Sequence, residues 1–333
     1  MGVKGSGHGK LLLFGEHAAV YGYPALGIAL PETVELEIEH GPEWSLANVP
    51  RRYRTILQPV LERLDGHLHE RYGADAAEHA RGAVWFHQIV PTGIGFGSSA
   101  ALCVALARAA LGTVPAVQRH SVRDRDMEVW ALANELERLF HGSPSGIDTG
   151  LATLGGARSF TFDKPGLPQA SPLPLPPGVI VAAATPRDSD TKTLVGALKE
   201  RVQRREKRVI GELAKLGEIA HEADALIRSP DATENLAHLG ALAGRAHRLL
   251  ADLGLSTAIT ERCLTTATDN GALGGKISGA GGGGAFFAVF EDPAAALETA
   301  GTLREILSGI DRDLPVRVIR AEEESLRLIE AAS

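Results

Sequence analysis

Short runs of apolar or alternating residues and longer amphipathic stretches follow each other along the whole chain. Alternation with a period of two, as at Val34, Leu36 and Ile38, is typical of a half-buried strand, whereas apolar residues that recur every three or four positions indicate a helix. Strands are predicted at residues 10–14, 26–30, 33–39, 83–90, 157–162, 179–184, 276–278, 285–290 and 316–319. Helices are predicted at residues 49–72, 102–111, 123–141, 191–227, 235–253, 257–270 and 293–309. Because strands and helices do not alternate regularly, the pattern predicts an α+β fold.

A proline-rich segment at residues 165–177 separates two such mixed regions. Prolines stiffen a linker, so this segment is the best candidate for the crossing between two domains. We therefore predict an N-terminal domain at residues 1–177 and a C-terminal domain at residues 178–333. In the second region, the order of strands and helices predicts an antiparallel sheet packed with helices.

Residues 91–101 hold three glycines at alternate positions, Gly93, Gly95 and Gly97, and then Ser98 and Ser99 at the start of an alanine-rich helix. Glycine lets a backbone turn tightly and approach a ligand closely, and either serine is a natural N-cap. Exposed N–H groups and the positive end of the helix dipole would then form an anion site, and phosphate is the usual anion. The spacing matches neither the dinucleotide-binding G-x-G-x-x-G motif nor a P-loop. A glycine-rich turn that only caps a helix is the alternative.

Composition and charge narrow the classes of function. The 333 residues include 44% hydrophobic and 23% charged residues, as is usual for globular proteins, and the net charge of −7 argues against a general nucleic-acid binder. No apolar run approaches the roughly 20 residues that span a bilayer, and Glu16 ends the apolar N-terminal run too early for a signal peptide. Cys103 and Cys263 are expected to be buried thiols of a reducing compartment. We therefore predict a cytoplasmic protein with no nucleic-acid or membrane partner.

A few polar residues are candidates for catalysis. Lys10 lies at the edge of a predicted strand, and Glu137 and Asp148 flank a helix break rich in glycine and serine. Asp148 has only small and apolar neighbours, which is usual for a cap or turn residue but also for a carboxylate held for proton transfer or a metal. Ser99 and Glu137 could share Mg²⁺, an ion that prefers oxygen ligands. A solvated lysine and a turn carboxylate are the plain alternatives.

Residues 279–284 form a second glycine-rich tract, which is either a flexible turn or another backbone cradle for phosphate. Together with residues 9–17, which read Gly-Lys-Leu-Leu-Leu-Phe-Gly-Glu-His, and with residues 91–101, this tract resembles the motifs of the GHMP kinase superfamily, named for galacto-, homoserine, mevalonate and phosphomevalonate kinases. Within that superfamily the chain looks most like the mevalonate kinases. Gly7 and His8 depart from the family pattern, in which alanine and proline are usual.

The resemblance implies a fold, a reaction and roles for individual residues. The fold would be a ribosomal protein S5 domain 2-like N-terminal domain followed by a ferredoxin-like C-terminal α/β sandwich. The reaction would be ATP-dependent phosphorylation of the C5 hydroxyl of (R)-mevalonate, a step of isoprenoid biosynthesis, with Asp148 as general base and Lys10 stabilising the transferred group. Substrate contacts would come from Lys10, Glu16, His17, Asp148 and Thr191, and Mg²⁺ ligands from Ser99 and Glu137. The phosphates of ATP would be held by Pro91, Gly93, Gly95, Gly97, Ser98, Ser99, Ala100, Gly279, Ala280 and Gly281.

Other functions of the same fold remain as alternatives. These are a phosphomevalonate kinase, a mevalonate 3-kinase, a sugar kinase, or a sensor that binds its ligand without turnover. Retention of both Lys10 and Asp148 argues against a 3-kinase, and a sensor has no need of a general base. The sequence leaves open whether the chain forms a homodimer.

Overall fold

The computed structural model describes residues 2–90, 92–188, 191–232, 234–322 and 325–328. The chain divides into two compact units, and neither is continuous in sequence. Unit 1 consists of Met1–Lys10, Glu32–Thr92 and Gly97–Gly155. Unit 2 consists of Leu11–Pro31, Gly93–Phe96 and Gly156–Ser333. The boundary expected between residues 177 and 178 stays a prediction.

Unit 1 is mainly helical. Its strands are β1 (Val3–Phe14) and β2 (Ala25–His40), which both continue into unit 2, and β3 (Ser45–Leu46) and β4 (Gly82–Gln88). Strand β1 pairs with β2, residues 35–40 of β2 pair antiparallel with β4, and β3 runs parallel to β4. Its helices are α1 (Arg51–Tyr72), α2 (Ala74–Ala80), α3 (Ser98–Leu111), α4 (Pro115–Gln118), α5 (Val122–His141) and α6 (Ile147–Leu154).

Helix α3 lies directly against the backbone of β1. A Cβ atom on Gly5 would be 2.0 Å from the carbonyl oxygen of Ala105, and one on Gly7 would be 2.2 Å from that of Ala101. Both distances are far inside van der Waals contact, so only glycine fits at these two strand positions. This close approach explains why glycine rather than alanine stands at position 7, and it holds the strand that carries Lys10 against the alanine-rich helix.

Unit 2 contains an antiparallel sheet, as predicted, with five strands in the order β11-β10-β7-β9-β8, of which β11 was not predicted. Strands β5 (Ala157–Thr161) and β6 (Gln169–Leu173) pair with each other, and β5 also pairs with residues 25–28 of β2. The sheet strands are β7 (Val179–Thr185), β8 (Gly274–Ile277), β9 (Gly284–Phe290), β10 (Val316–Glu322) and β11 (Ser325–Leu328). The helices are α7 (Thr191–Gln203), α8 (Lys207–Arg228), α9 (Leu236–Asp252), α10 (Ala258–Asp269) and α11 (Pro293–Ser308).

The core of unit 2 lies between one face of this sheet and two helices. Val181 of β7, Phe286 of β9 and Val318 of β10 are fully or almost fully buried there. They pack with Cys263 of α10 and Leu303 of α11. Burial of such apolar surface is the main source of folding free energy. Both cysteines of the chain are free and buried, which confirms the expectation of buried thiols, while the reducing compartment stays a prediction.

Three details differ from the sequence prediction. Residues 26–30 and 33–39 belong to one strand, β2, in which Pro31 lies between the segment that pairs with β5 and the segment that pairs with β4. The long helix expected up to residue 227 is two helices, with Arg205 between them at a φ of 58°. The proline-rich segment contains β6, an edge strand, where proline is tolerated.

Candidate active site

Lys10 and Asp148 form an ion pair in unit 1. The Nζ atom of Lys10 lies 3.1 Å from Oδ2 of Asp148, and the side chains are 5% and 36% exposed, respectively. Lys10 lies well inside the long strand β1, not at a strand edge as the sequence suggested. Asp148 is the second residue of α6, where the helix dipole favours a carboxylate. The arrangement holds an ammonium group in a fixed place and leaves the carboxylate open to a ligand.

The start of α6 is fixed by the turn before it. Gly146 is the N-cap and has a φ of 87°, a conformation that favours glycine. Its carbonyl oxygen accepts a hydrogen bond of 2.8 Å from the indole N–H of Trp130, which is buried in α5. The hydroxyl of Ser145 accepts a hydrogen bond from the backbone N–H of Ile147. The turn is thus hydrogen-bonded to α5, and this fixes the start of α6 and with it the position of Asp148 in the first turn of that helix.

Ser99 and Glu137 meet at a second polar cluster of unit 1. The hydroxyl of Ser99 donates a hydrogen bond of 2.8 Å to Oε1 of Glu137. Nε2 of His141 lies 3.2 Å from the same carboxylate oxygen and 3.3 Å from Oγ of Ser99. Glu137 is buried, and its Oε2 has no N–H or O–H donor among the described residues, although the Cys103 thiol lies beside the carboxylate. A buried carboxylate oxygen without a partner fits a hard cation such as Mg²⁺, which binds oxygen ligands.

The charge of Glu137 shifts the pKa of two neighbouring groups. The hydrogen bond from His141 to Glu137 raises the pKa of His141, and the charges of Glu137 and Asp148 act in the same direction. Burial raises the pKa of the Cys103 thiol well above its ordinary value, and the Glu137 charge adds to the effect. Sequence analysis missed His141, although it stands four residues after Glu137 and so on the same side of α5.

The N-terminus of α3 carries part of the candidate nucleotide site. The N-cap is Gly97, with a φ of 78°, and no described side chain caps the helix. The prediction of a serine N-cap is therefore wrong, because Ser99 lies inside the helix and its hydroxyl is bound to Glu137. A Cβ on Gly97 would be 2.5 Å from Cγ of Lys10, so glycine is needed there. The first N–H groups of the helix, from Ser98 onward, have no intrahelical acceptor and can bind an anion.

Unit 2 contains the other candidate residues. Nε2 of His17 donates a hydrogen bond of 3.2 Å to the carbonyl oxygen of Ala280, and the carboxylate of Glu16 is bonded to the ammonium of Lys276. Lys276 was missed by sequence analysis as a partner of Glu16, since 260 residues separate them. Positive φ angles, which favour glycine, occur at Gly93, Gly95, Gly279, Gly281, Gly282, Gly283 and Gly284.

Two predicted site residues are not covered by the description of the site. Pro91 lies outside the described residues, and so does the side chain of Thr191. Among the described residues, no group of three His, Cys, Asp or Glu side chains is arranged to hold a metal ion. A Mg²⁺ site does not require such a group, because this ion commonly binds one or two protein ligands together with substrate phosphates and water. No helix in the described part of the chain has the length and apolar character needed to cross a membrane.

Comparison with known proteins identifies relatives along the whole chain. The family model described as GHMP kinases N terminal domain matches residues 59–156, and GHMP kinases C terminal matches residues 211–308. The mevalonate kinase of Pyrococcus horikoshii is 29% identical, over 99% of this chain and 98% of that protein. The crystal structure of L. major mevalonate kinase in complex with R-mevalonate has a TM-score of 0.74 at 22% identity, covering 95% of each chain. Lactococcus lactis galactokinase complexed with galactose has a TM-score of 0.70 at 17% identity, covering 98% of this chain and 95% of that one.

These relatives confirm the predicted fold, with mixed α and β structure and the two GHMP halves in order. The two solved structures contain different ligands, R-mevalonate and galactose. Similarity to them at such low identity therefore shows the fold alone. The two family models together match more than half of the residues, one in each half of the chain. The chain therefore belongs to the GHMP kinases.

Proposed function

We propose that this GHMP kinase transfers the γ-phosphoryl group of ATP to the C5 hydroxyl of (R)-mevalonate, giving 5-phosphomevalonate and ADP. The observation that carries the proposal is the 3.1 Å pair of Lys10 and Asp148, with its lysine buried and its carboxylate open. A general base must be within reach of the proton that it removes, and only a carboxylate with open surface can meet a substrate hydroxyl. The full-length similarity to a mevalonate kinase supports mevalonate as that substrate.

Asp148 acts as the base in this mechanism. Its Oδ atom takes the proton of the C5 hydroxyl, so that the hydroxyl oxygen can bond to the γ-phosphorus while the bond to the ADP oxygen breaks. The ammonium of Lys10 holds the carboxylate in place through the ion pair. The ammonium also offers positive charge where negative charge develops on the transferred group. Most of the catalysis comes from such positioning and charge stabilisation, because phosphoryl transfer needs little covalent help.

The phosphates of ATP are bound by main chain and hydroxyl groups. The free N–H groups at the start of α3, at Ser98, Ser99 and Ala100, and the helix dipole supply donors for them. The positive φ angles of the glycines in both glycine-rich segments support the same role, since such backbone can approach an anion closely. The remaining nucleotide contacts are proposed for Pro91, Gly93, Gly95, Gly97, Gly279, Ala280 and Gly281.

Mg²⁺ is held by Ser99 and Glu137 in this proposal. The unpartnered, buried Oε2 of Glu137 supports this assignment, and so does the hydroxyl oxygen of Ser99 beside the same carboxylate. When bound, the ion neutralises charge on the β- and γ-phosphates. Glu137 accordingly has the role of a ligand and not of a base.

Mevalonate is proposed to contact Lys10, Asp148, His17 and Thr191. Glu16 belongs to the same predicted set, but its carboxylate is occupied by Lys276 and is almost fully buried. We therefore propose that Glu16 acts on the acceptor through its neighbours. A homodimer remains a prediction without support from the contacts described.

An ADP-release assay with a panel of acceptors tests the proposal. We expect (R)-mevalonate to be phosphorylated with a kcat/KM at least roughly 10²-fold above that for 5-phosphomevalonate, galactose and homoserine, since a site built to hydrogen-bond its substrate discriminates strongly. The position of the new phosphate is read from the coupling of phosphorus to the C5 protons by NMR. A preference for another acceptor would show that mevalonate is not the substrate. Failure to release ADP with any acceptor would contradict kinase activity.

A further inference from the structure

Lys276 is a fully buried lysine of β8 in unit 2. Its ammonium is bonded to the Glu16 carboxylate and donates a hydrogen bond of 2.7 Å to the carbonyl oxygen of Ile277. The same nitrogen lies 6.0 Å and 5.5 Å from the ring centres of Phe14 and Phe287. Burial lowers the pKa of Lys276, whereas the Glu16 carboxylate acts against that shift. Buried ions are costly unless they are paired, so this pair needs a reason to be retained.

Two further bonds join the same segments of chain. The backbone N–H of Leu12 donates a hydrogen bond of 2.9 Å to Oγ of Ser278, and His17 donates one of 3.2 Å to the carbonyl oxygen of Ala280. Together with the Glu16–Lys276 pair, they connect residues 12–17 to residues 276–280 at three points. The charged pair is the central connection, because Glu16 directly precedes His17 and Lys276 lies at the base of the glycine tract.

His17 depends on its neighbours for its orientation. Its φ of 62° is unusual for a residue other than glycine, so the surrounding contacts must hold it. Because a carbonyl oxygen can only accept a hydrogen bond, Nε2 carries the proton in the bond to Ala280. Burial is the main cause that lowers the pKa of His17 to about 4. The ring is therefore neutral near pH 7, and Nδ1 is left as an acceptor, suited to a hydroxyl group.

We propose that Lys276 and Glu16 are a positioning pair, which holds the His17 ring in the orientation and tautomer that accept a hydroxyl hydrogen from the acceptor substrate. Lys276 does not touch the substrate in this assignment, and acts through Glu16, His17 and the carbonyl of Ala280. The inference rests on the proposed function for the identity of the acceptor. It does not depend on that function for the state of the His17 ring, and the two are tested separately.

The double variant Glu16→Met/Lys276→Met tests the pair. It replaces a buried ion pair with apolar side chains of similar length, a change that proteins often accept without loss of stability. We expect the KM for mevalonate to rise about tenfold, the worth of about one hydrogen bond, with kcat changed less than KM. Arg204→Met is the control, because it removes an exposed ion pair of unit 2, 3.8 Å from the Arg204 guanidinium to Glu200, and should leave both constants unchanged.

Nitrogen NMR of histidine-labelled protein reads the tautomer without substrate. His17 signals are assigned by their loss in His17→Gln. We expect the Nε2–H tautomer in the wild type and a mixture of tautomers in the double variant, an effect that a merely stabilising pair would not produce. A wild-type ring protonated on Nδ1 alone overturns the proposal even if the double variant does not fold.

The outcomes separate the two proposals. A folded double variant with wild-type KM and an unchanged His17 spectrum overturns the positioning role. A tautomer that changes in the double variant, in a protein whose wild type does not phosphorylate mevalonate, supports the positioning role and contradicts the proposed substrate.

Discussion

The protein contains two buried lysines that each pair with a carboxylate. The local sequence around the two lysines is similar, but the surroundings of the two carboxylates differ. Each lysine follows a glycine, at Gly9-Lys10 and Gly275-Lys276, and each belongs to a strand. In the Lys10–Asp148 pair of unit 1 the carboxylate side chain is 36% exposed, whereas in the Lys276–Glu16 pair of unit 2 it is 3% exposed. The chemical groups are nearly the same, and the access of solvent to the carboxylate differs by an order of magnitude.

This difference in access separates chemistry from positioning. A carboxylate that reaches solvent can exchange its lysine partner for a substrate hydroxyl and take a proton from it. A carboxylate sealed in the interior keeps its partner, because removal of either charge leaves the other one buried and alone. The comparison therefore supports the proposed proton transfer at Asp148 and the proposed positioning role of Glu16.

The largest effect is expected for Asp148→Asn. The amide cannot take a proton from the hydroxyl, so kcat should fall by roughly 10²–10⁴, the usual worth of a general base. Nucleotide binding should change little, because the α3 N-terminus is unaltered. Steady-state kinetics and a fluorescent nucleotide titration measure the two quantities. Asp126→Asn is the matched control, since Asp126 pairs with Arg108 at 3.4 Å and is similarly exposed, and wild-type turnover in both variants would remove Asp148 from the mechanism.

Replacement of each lysine by methionine tests the comparison through stability. Lys276→Met leaves the Glu16 carboxylate buried without its partner, and we expect the free energy of unfolding to fall by about 3–5 kcal/mol. Lys10→Met leaves Asp148 in contact with water, so the expected loss is under about 1 kcal/mol. Urea denaturation of both variants against the wild type gives the two values. Equal losses would show that burial does not distinguish the pairs.

Glu137 is intermediate between the two pairs, because it is buried like Glu16 but has an oxygen without a described partner. If that oxygen binds Mg²⁺, Glu137→Gln and Ser99→Ala should each raise the Mg²⁺ concentration for half-maximal activity by roughly tenfold or more. Magnesium titrations of initial rate at saturating substrates measure this shift. Ser143→Ala, on the exposed turn after α5, should leave the titration unchanged, and the same result in the two site variants would contradict the metal assignment.

The family resemblance selected the residues of the open pair as candidates, whereas neither the resemblance nor the local pattern predicted the sealed pair. Lys10 and Ser99 belong to two of the motifs, and Glu137 and Asp148 flank a helix break, and the structure brings the four residues together in two pairs. Lys276 lies three residues before the second glycine-rich tract, but nothing near it in the sequence indicates that it loses all contact with water. Burial depends on Phe14, 262 residues away in the chain (276 − 14), so no local pattern reports it.

Competition between local and long-range contacts explains the other errors. Ser99 has the chemistry of an N-cap, but its hydroxyl bonds to Glu137, and Gly97 takes the cap position. The sequence around the helix break at Arg205 contains no proline or glycine, so nothing local predicts the break. There Arg201 donates a hydrogen bond to the carbonyl oxygen of Leu253, a contact that only the folded chain contains. Local propensity is a weak guide wherever such contacts decide the geometry.

The most gradual effect, spread over the whole interval between two pKa values, is expected for His17, which stands beside the sealed pair and has its pKa lowered from 6.5 to about 4. Between these values the unfolded chain binds a proton that the folded chain does not, so stability is complete above pH 6.5 and falls as the pH is lowered toward 4. The slope from this residue is up to about 1.4 kcal/mol per pH unit, and His17→Gln should remove it.

Urea midpoints from pH 7 to pH 4 measure the slope, with His69→Gln, an exposed histidine of α1, as control. The pKa of His141 is raised instead. Its contribution to stability is therefore complete below pH 6.5 and is lost only as the pH rises above that value, so it does not add to the slope between pH 6.5 and pH 4. A His17→Gln slope equal to that of the wild type would mean that His17 has the same pKa in the folded and the unfolded protein, which would contradict the shift attributed to its burial.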